Sequence, residues 1–379
     1  MTEPSGRPTM EDVATRAGVS RSLVSLVMRG ATNVSELRRT AVLQAAAELG
    51  YRPNAMARNL ASRHPDTIGV MLSDLHNPYF AEIADSIETT ARAAGLRIII
   101  NTGGRRVDVE RQALEHLLEF RTAGLILVGS VIPAPAIEAA ARSTPIVLVT
   151  RRTRSAGVDS IMIDEAAAGR LVIDHLAALG HERIAHIDGG PGAAASQRRR
   201  GYEQAMASAG LADQIRVVAG EYTEAAGEAG AAALFPAPGR SGPRFPAPGR
   251  SGPRSPAPGR LGPRSAAPGR SGPRSADPVR PTAVYGANDL VAAGVLAQLE
   301  RDGLDVPRDV SVVGYDNTAL AELGLLSLTT VDQPRAEMGR LAVQCLLERV
   351  GAERRRAIRH ELPPALVVRR TTAPPPAVP

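Results

Sequence analysis

Residues 9–30 read TMEDVATRAGVSRSLVSLVMRG, and the spacing inside them sets the first domain. Thr9 can cap a helix with Asp12 three residues on, while Met10, Val13, Ala14 and Ala17 share one face. Gly18 supplies a turn, and Ser20 can cap a second helix running to about Arg29, with Val24 and Val27 packed inward. Two short helices joined by a glycine-containing turn of about three or four residues form the helix-turn-helix signature. A third helix is expected from Ser35 to Leu49, ended by Gly50. Arg21, Ser22 and Ser25 then lie on the outer face of the second helix, where they can reach base edges in a major groove. The Arg21 fork matches both acceptors of a guanine. The plainer alternative is that they are ordinary solvated residues on a small helix.

Charge supports the first alternative locally. The 379 residues carry a net charge of +6, and no lysine contributes to it. Eight arginines and no acid fall in residues 235–274, so the remainder has a slight negative balance. Residues 1–63, however, hold nine arginines against Glu3, Glu11, Asp12, Glu36 and Glu48. Phosphate contacts need positive charge where the DNA lies, and that is where this excess sits. The length suits two or three domains. No apolar run approaches the roughly 18 residues of a membrane span, and MTEPSGRPTM lacks an apolar signal core, so export is not expected. Cys345 is the only cysteine, which excludes an intramolecular disulfide and a cysteine-based zinc cluster. A cytoplasmic protein is expected.

Beyond residue 66 the rhythm changes. TIGVML (67–72), LRIII (96–100), AGLILVG (123–129), PIVLVT (145–150), SIMI (160–163), RIAHIDG (183–189), RVVAG (216–220), TAVYGA (282–287) and VSVVGYD (310–316) have the look of buried strands. Helical stretches at 80–94, 108–121, 134–142, 166–179, 198–209 and 288–302 alternate with most of them. That alternation argues for parallel sheets covered on both faces, and nine strands suit two doubly wound lobes. A decapeptide repeat, FPAPGRSGPR and its variants, interrupts the second lobe. Its proline and glycine content forbids helix or strand, so residues 235–280 are expected to form a disordered insertion. The connection enters the next strand at its amino end, whereas ligands gather at the carboxyl edge, so the insertion should spare any pocket.

The stretch 9–30, continued by VSELRRTAVLQAAAELGYRPNAMARNLAS (34–62), resembles the helix-turn-helix and hinge of LacI/GalR-family regulators. The resemblance implies a DNA-contacting set of Ser20, Arg21, Ser22, Ser25, Leu26, Arg29, Asn54, Ala57 and Leu60. Leu26 and Arg29 depart from the family pattern: a leucine there can meet only a thymine methyl, and Arg29 a phosphate or base. Leu60 falls where relatives wedge a leucine into the minor groove, with Ala57 small enough for two hinges to pack; the alternative is a linker residue covering the lobe. Residues 66–372, the repeat aside, resemble the family's periplasmic-binding-protein-like core. DLHNPYFAEI (74–83), RRRGYEQAM (198–206), GAND (286–289), VVGYDN (312–317) and TTVDQP (329–334) then imply a small-molecule effector cleft. Its residues would be Tyr79, Phe80, Arg198 as a bidentate clamp, Tyr222, Asn288, Asp316 and Gln333. Each can equally be a satisfied structural group.

The expected architecture is a small all-α headpiece (1–53), a hinge (54–65) and an α/β core of two doubly wound parallel sheets. The first lobe would comprise 66–163 and 334–358, the second 164–333 and 359–372, with 373–379 a disordered tail. The partners implied are double-stranded DNA with a pseudopalindromic site, a small-molecule effector and a second copy of the chain. No cofactor, metal site, membrane association or catalytic residue is expected: GGPG (189–192) lacks dinucleotide spacing, no phosphate loop or G-x-S-x-G elbow occurs, and His181 and His186 have no ligand cluster nearby. A solute-binding protein would share the lobes but has no use for residues 9–62. An enzyme on a doubly wound fold would be recognised by steady turnover of a sugar or nucleotide.

Overall fold

The computed structural model describes residues 8–28, 30–52, 65–236, 280–354 and 356–377. Arg29, Asn54, Ala57, Leu60 and the body of the repeat lie outside them. The headpiece is α1 (Met10–Ala17), α2 (Arg21–Met28) and α3 (Glu36–Leu49), closed over Val13, Val24, Val27 and Val42. Thr9 and Asp12 cap α1 reciprocally: Asp12 Oδ2 accepts from the Thr9 amide at 2.8 Å, and Thr9 Oγ1 accepts from the Asp12 amide at 3.3 Å. Gly18, at φ 64°, ends α1 in the left-handed region that a glycine enters without steric cost.

The first lobe contains β1 (Thr67–Leu72), α4 (Pro78–Ala93), β2 (Arg97–Thr102), α5 (Val107–Glu119), β3 (Leu125–Val128), α6 (Ala134–Ala141), β4 (Ile146–Val149) and β5 (Val158–Ile163). The chain then builds α7 (Glu165–Ala178), β6 (Ile184–Ile187), α8 (Ala195–Ser208), β7 (Arg216–Val218), α9 (Glu224–Leu234), β8 (Ala283–Gly286), α10 (Asp289–Arg301), β9 (Ser311–Asp316), α11 (Ala319–Glu322) and β10 (Thr329–Asp332). It returns to the first lobe for α12 (Arg335–Val350) and β11 (Arg359–Leu362), and ends in the second with β12 (Ala365–Val367).

The two sheets run β11-β5-β4-β3-β1-β2 and β12-β10-β9-β8-β6-β7. The first is parallel throughout; in the second only β12 runs antiparallel, against β10. Strand residues alternate between two cores. Ile126 and Val128 meet α4 and α12, while Leu125 and Leu127 meet α5 and α6. Both faces are therefore dry, which is why these strands are nearly continuous in apolar residues.

Four expectations change at the margins. Strand β11 pairs with β5, Arg359 beside Ser160 through Leu362 beside Ile163, so the final crossing follows residue 362 and not 358. Its polar sequence RHEL is that of an edge strand, without an apolar run to betray it. β10 and β12 were likewise absent from the expected strand set. The insertion is shorter than 235–280: Phe235 is buried in the second-lobe core, and the Arg280 guanidinium lies 4.8 Å from its ring centroid. The tail is tied down at its start, because Ala373 O accepts from Ser311 Oγ at 3.0 Å and lies 2.8 Å from His181 Nε2.

Candidate effector cleft and DNA-reading helix

Helix α2 begins with Ser20 as its cap, Oγ accepting from the Leu23 amide at 3.3 Å and lying 2.9 Å from Ser22 Oγ. Ser20, Arg21 and Ser22 are exposed at the helix start, where side chains of a groove-bound helix meet bases. Ser25 is half-buried. Leu26 is also half-buried and packs on the headpiece core, so little of it remains for a thymine methyl.

In each sheet the strand order reverses next to the lobe's first strand, between β1 and β3 and between β6 and β8. Carboxyl edges at such points are where open α/β sheets hold ligands. Here the two edges share one cavity, about 500 Å³ with its mouth. The first lobe lines it with Ser73, Asp74, Asn77, Tyr79, Phe80 and Arg105, and the second with Ala194, Arg198, Tyr222, Asp316 and Gln333. Six of the seven residues expected there converge. Asn288 does not: β8 stops at Gly286, so Asn288 becomes the cap of α10, its Oδ1 accepting from the Val291 amide at 2.9 Å. Its buried amide nitrogen has no hydrogen-bond partner among the described residues.

Aromatic rings from both lobes form part of the wall. Phe80 lies against Gly129, and Tyr222 covers Gly189 and Gly192; a Cβ at any of these glycines would run into the ring. Tyr222 is fixed by its hydroxyl, which donates to Ala193 O at 3.0 Å. Arg198 is engaged differently from the expected clamp. Its Nε and one terminal nitrogen donate to Glu165 at 3.2 and 3.1 Å, and the other terminal nitrogen donates to Ala287 O. Of the five donors, one hydrogen on each terminal nitrogen is left for a ligand. Burial alone would lower the Arg198 pKa, but Glu165, Tyr222 and Tyr315 raise it well above its ordinary value. Its guanidinium also sits 3.4 Å from the Tyr315 ring centroid.

Asp316 is buried, and Gln333 Nε2 donates to its Oδ1 at 2.6 Å. Burial raises its pKa, Arg198 opposes, and the nearby Asp289 carboxylate raises it further. Gln333 in turn accepts from the Tyr79 hydroxyl at 3.1 Å, so a hydrogen-bonded chain crosses from one lobe to the other. Sequence reasoning did not single out Asp74, Asn77, Arg105 or Glu165. The first two stand in the quoted DLHNPYFAEI stretch and were legible there, whereas nothing local distinguishes Arg105. Among the described residues, no group of three or more His, Cys, Asp or Glu side chains could hold a metal ion. Nor, among them, is any helix long and apolar enough to cross a membrane.

Three family models match the chain: bacterial regulatory proteins of the lacI family at residues 9–54, periplasmic binding proteins and sugar binding domain of the LacI family at 65–241, and a periplasmic binding protein-like domain at 173–372. This chain belongs to the LacI family. It is 32% identical over 368 residues to the HTH-type transcriptional repressor PurR of Vibrio campbellii, covering 96% of this chain and 98% of that one. It is 30% identical over 344 residues to the ribose operon repressor of Haemophilus influenzae, covering 90% and 92%. A crystal structure of the Lac repressor dimer bound to operator and the anti-inducer ONPF matches with a TM-score of 0.76 at 27% identity, over 97% of this chain and all of that one. Like these LacI-family relatives, the chain is a DNA-binding transcriptional repressor with an effector-binding core, and not an enzyme.

Proposed function

We propose that a homodimer of this chain works in the cytoplasm, gripping a pseudopalindromic operator until a small polar metabolite enters the cleft and releases it. The observation that carries this is the convergence of Tyr79, Phe80, Arg198, Tyr222, Asp316 and Gln333, from two lobes, on one cavity. Aromatic faces with a few directed polar groups suit a sugar or a related compound. The ribose operon repressor among the relatives agrees with that class. Two-fold protein symmetry imposes two-fold symmetry on the site, with Arg21 of each copy at a base edge. Arg29, Asn54, Ala57 and Leu60 are assigned to DNA by resemblance. The ligand acts only through its different affinities for the operator-bound and free arrangements of the lobes.

The test pairs an unbiased oligonucleotide selection with a thermal-shift screen of sugars and nucleosides on the full-length protein. A compound that raises the melting temperature should loosen the selected operator. Selection of no preferred sequence would end the proposal, and tighter operator binding with the compound would reverse the sign of regulation.

A further inference from the structure

We infer that Arg335, held by Glu82, is the positioning residue that sets Asp316 in the effector cleft and ties it to helix α4. The inference rests on the cleft being the effector site. Asp316 and Asn317 stand in succession at φ 112° and 51°, a region that residues other than glycine rarely enter. Something must hold that turn. The carbonyl oxygens of both residues accept from Arg335, Asn317 O at 2.7 Å. The Arg335 Nε donates to Glu82 Oε2 at 2.6 Å, and the other Glu82 oxygen accepts from the Ala319 amide at 3.2 Å. One guanidinium thus joins α4 of the first lobe, the head of α12, and the turn after β9 in the second lobe. A cation in the first turn of a helix opposes the helix dipole, so this arginine does not serve α12 itself. A second route, Tyr79 to Gln333 to Asp316, leaves the same helix and reaches the same residue, at its carboxyl and not its carbonyl. The first turn of α4 also carries Phe80 of the cleft wall. Contact with Asp316 is therefore felt at α4, and movement of α4 is felt at Asp316.

Amide exchange on the ligand-free, full-length protein tests this. Arg335→Met should speed exchange by about tenfold or more at residues 317–321 and at 79–83, while the β6 and β8 amides hold. Arg335→Lys can keep the Glu82 pair but not the fork on two carbonyls, so it should loosen only 317–321. Glu82→Gln combined with Arg335→Met should be no worse than Arg335→Met alone, because both break one link. Exchange within about twofold of wild type at 317–321, silence at 79–83, or a uniform rise across the second lobe would overturn the inference. Any compound that stabilises the wild type should bind Arg335→Met about tenfold or more weakly, and equal binding would also overturn it. Failure of the effector reading is distinguishable, since it shows as no compound stabilising the wild type whatever the exchange does.

Discussion

Arg198 and Glu165 form a buried ion pair, and its energetics decide what mutations there can teach. Removing one partner strands a charge, so Glu165→Ala should cost about 3–5 kcal/mol in urea unfolding. Replacing both, as Glu165→Leu with Arg198→Met, should recover most of that stability while abolishing effector binding. Full effector response in the double variant would show that Arg198 is only structural. Asp316 offers a pH test. Burial raises its folded pKa above the ordinary value of about 4, so from there towards neutrality the native state holds more protons than the unfolded chain. Stability contributed by that proton is complete below the window and is lost as pH rises through it. Asp316→Asn should flatten this decline between about pH 5 and about pH 7.5, leaving the smaller share from Asp289. An unchanged slope would place the titration elsewhere. At the other end of the chain, Arg21→Ala should weaken the selected operator far more than random DNA, by about 1–3 kcal/mol; equal losses on both would mean a phosphate contact.

Helices α9 and α10 touch through glycines, and here two effects compete. A Cβ at Gly294 would collide with Glu224 O and approach Glu228 N, and one at Gly227 would meet Val291 O. Gly294→Ala gains about 1 kcal/mol of helix propensity, but overpacking a tight contact costs about 1–3 kcal/mol or more. The melting temperature should fall, and a rise would show that the pair can slide apart. Elements differed in how legible they were. The headpiece helices announce themselves through local capping and spacing, and the central strands through runs that two dry faces require. β10, β11 and β12 gave no such signal because their order comes from neighbours: in β10 the buried Thr329 bonds to Thr371 and lies 3.3 Å from the Thr372 hydroxyl, and the buried Thr330 donates to Asp289 at 2.6 Å. Asn288 shows the same limit in the site. A polar residue just past a strand can face a ligand or cap the next helix, and only the strand's length decides which.

At the scale of the whole molecule, the chain crosses between lobes three times, after Ile163, Gln333 and Leu362, and the cleft lies where both carboxyl edges meet. In sequence the Arg-rich repeat falls between α9 and β8, and the amino end of β8 is at the far end of the strand from the carboxyl edge that lines the cleft. Its feet are already together: Arg280 lies over Phe235, and Arg280 O accepts from Arg183 Nε at 2.9 Å. A short link can therefore replace residues 238–278, and loop-closure entropy changes by only about 0.6 kcal/mol per halving of length. The shortened protein should keep its melting temperature, its effector shift and its operator affinity. The informative control is salt. If the eight arginines of the repeat reach phosphates, the deletion will reduce the slope of log affinity against log salt by about 0.9 for each lost contact, on random DNA as much as on the operator. If the slope is unchanged, operator binding owes nothing to these residues, and the positive charge that matters is the excess around α2 and the hinge.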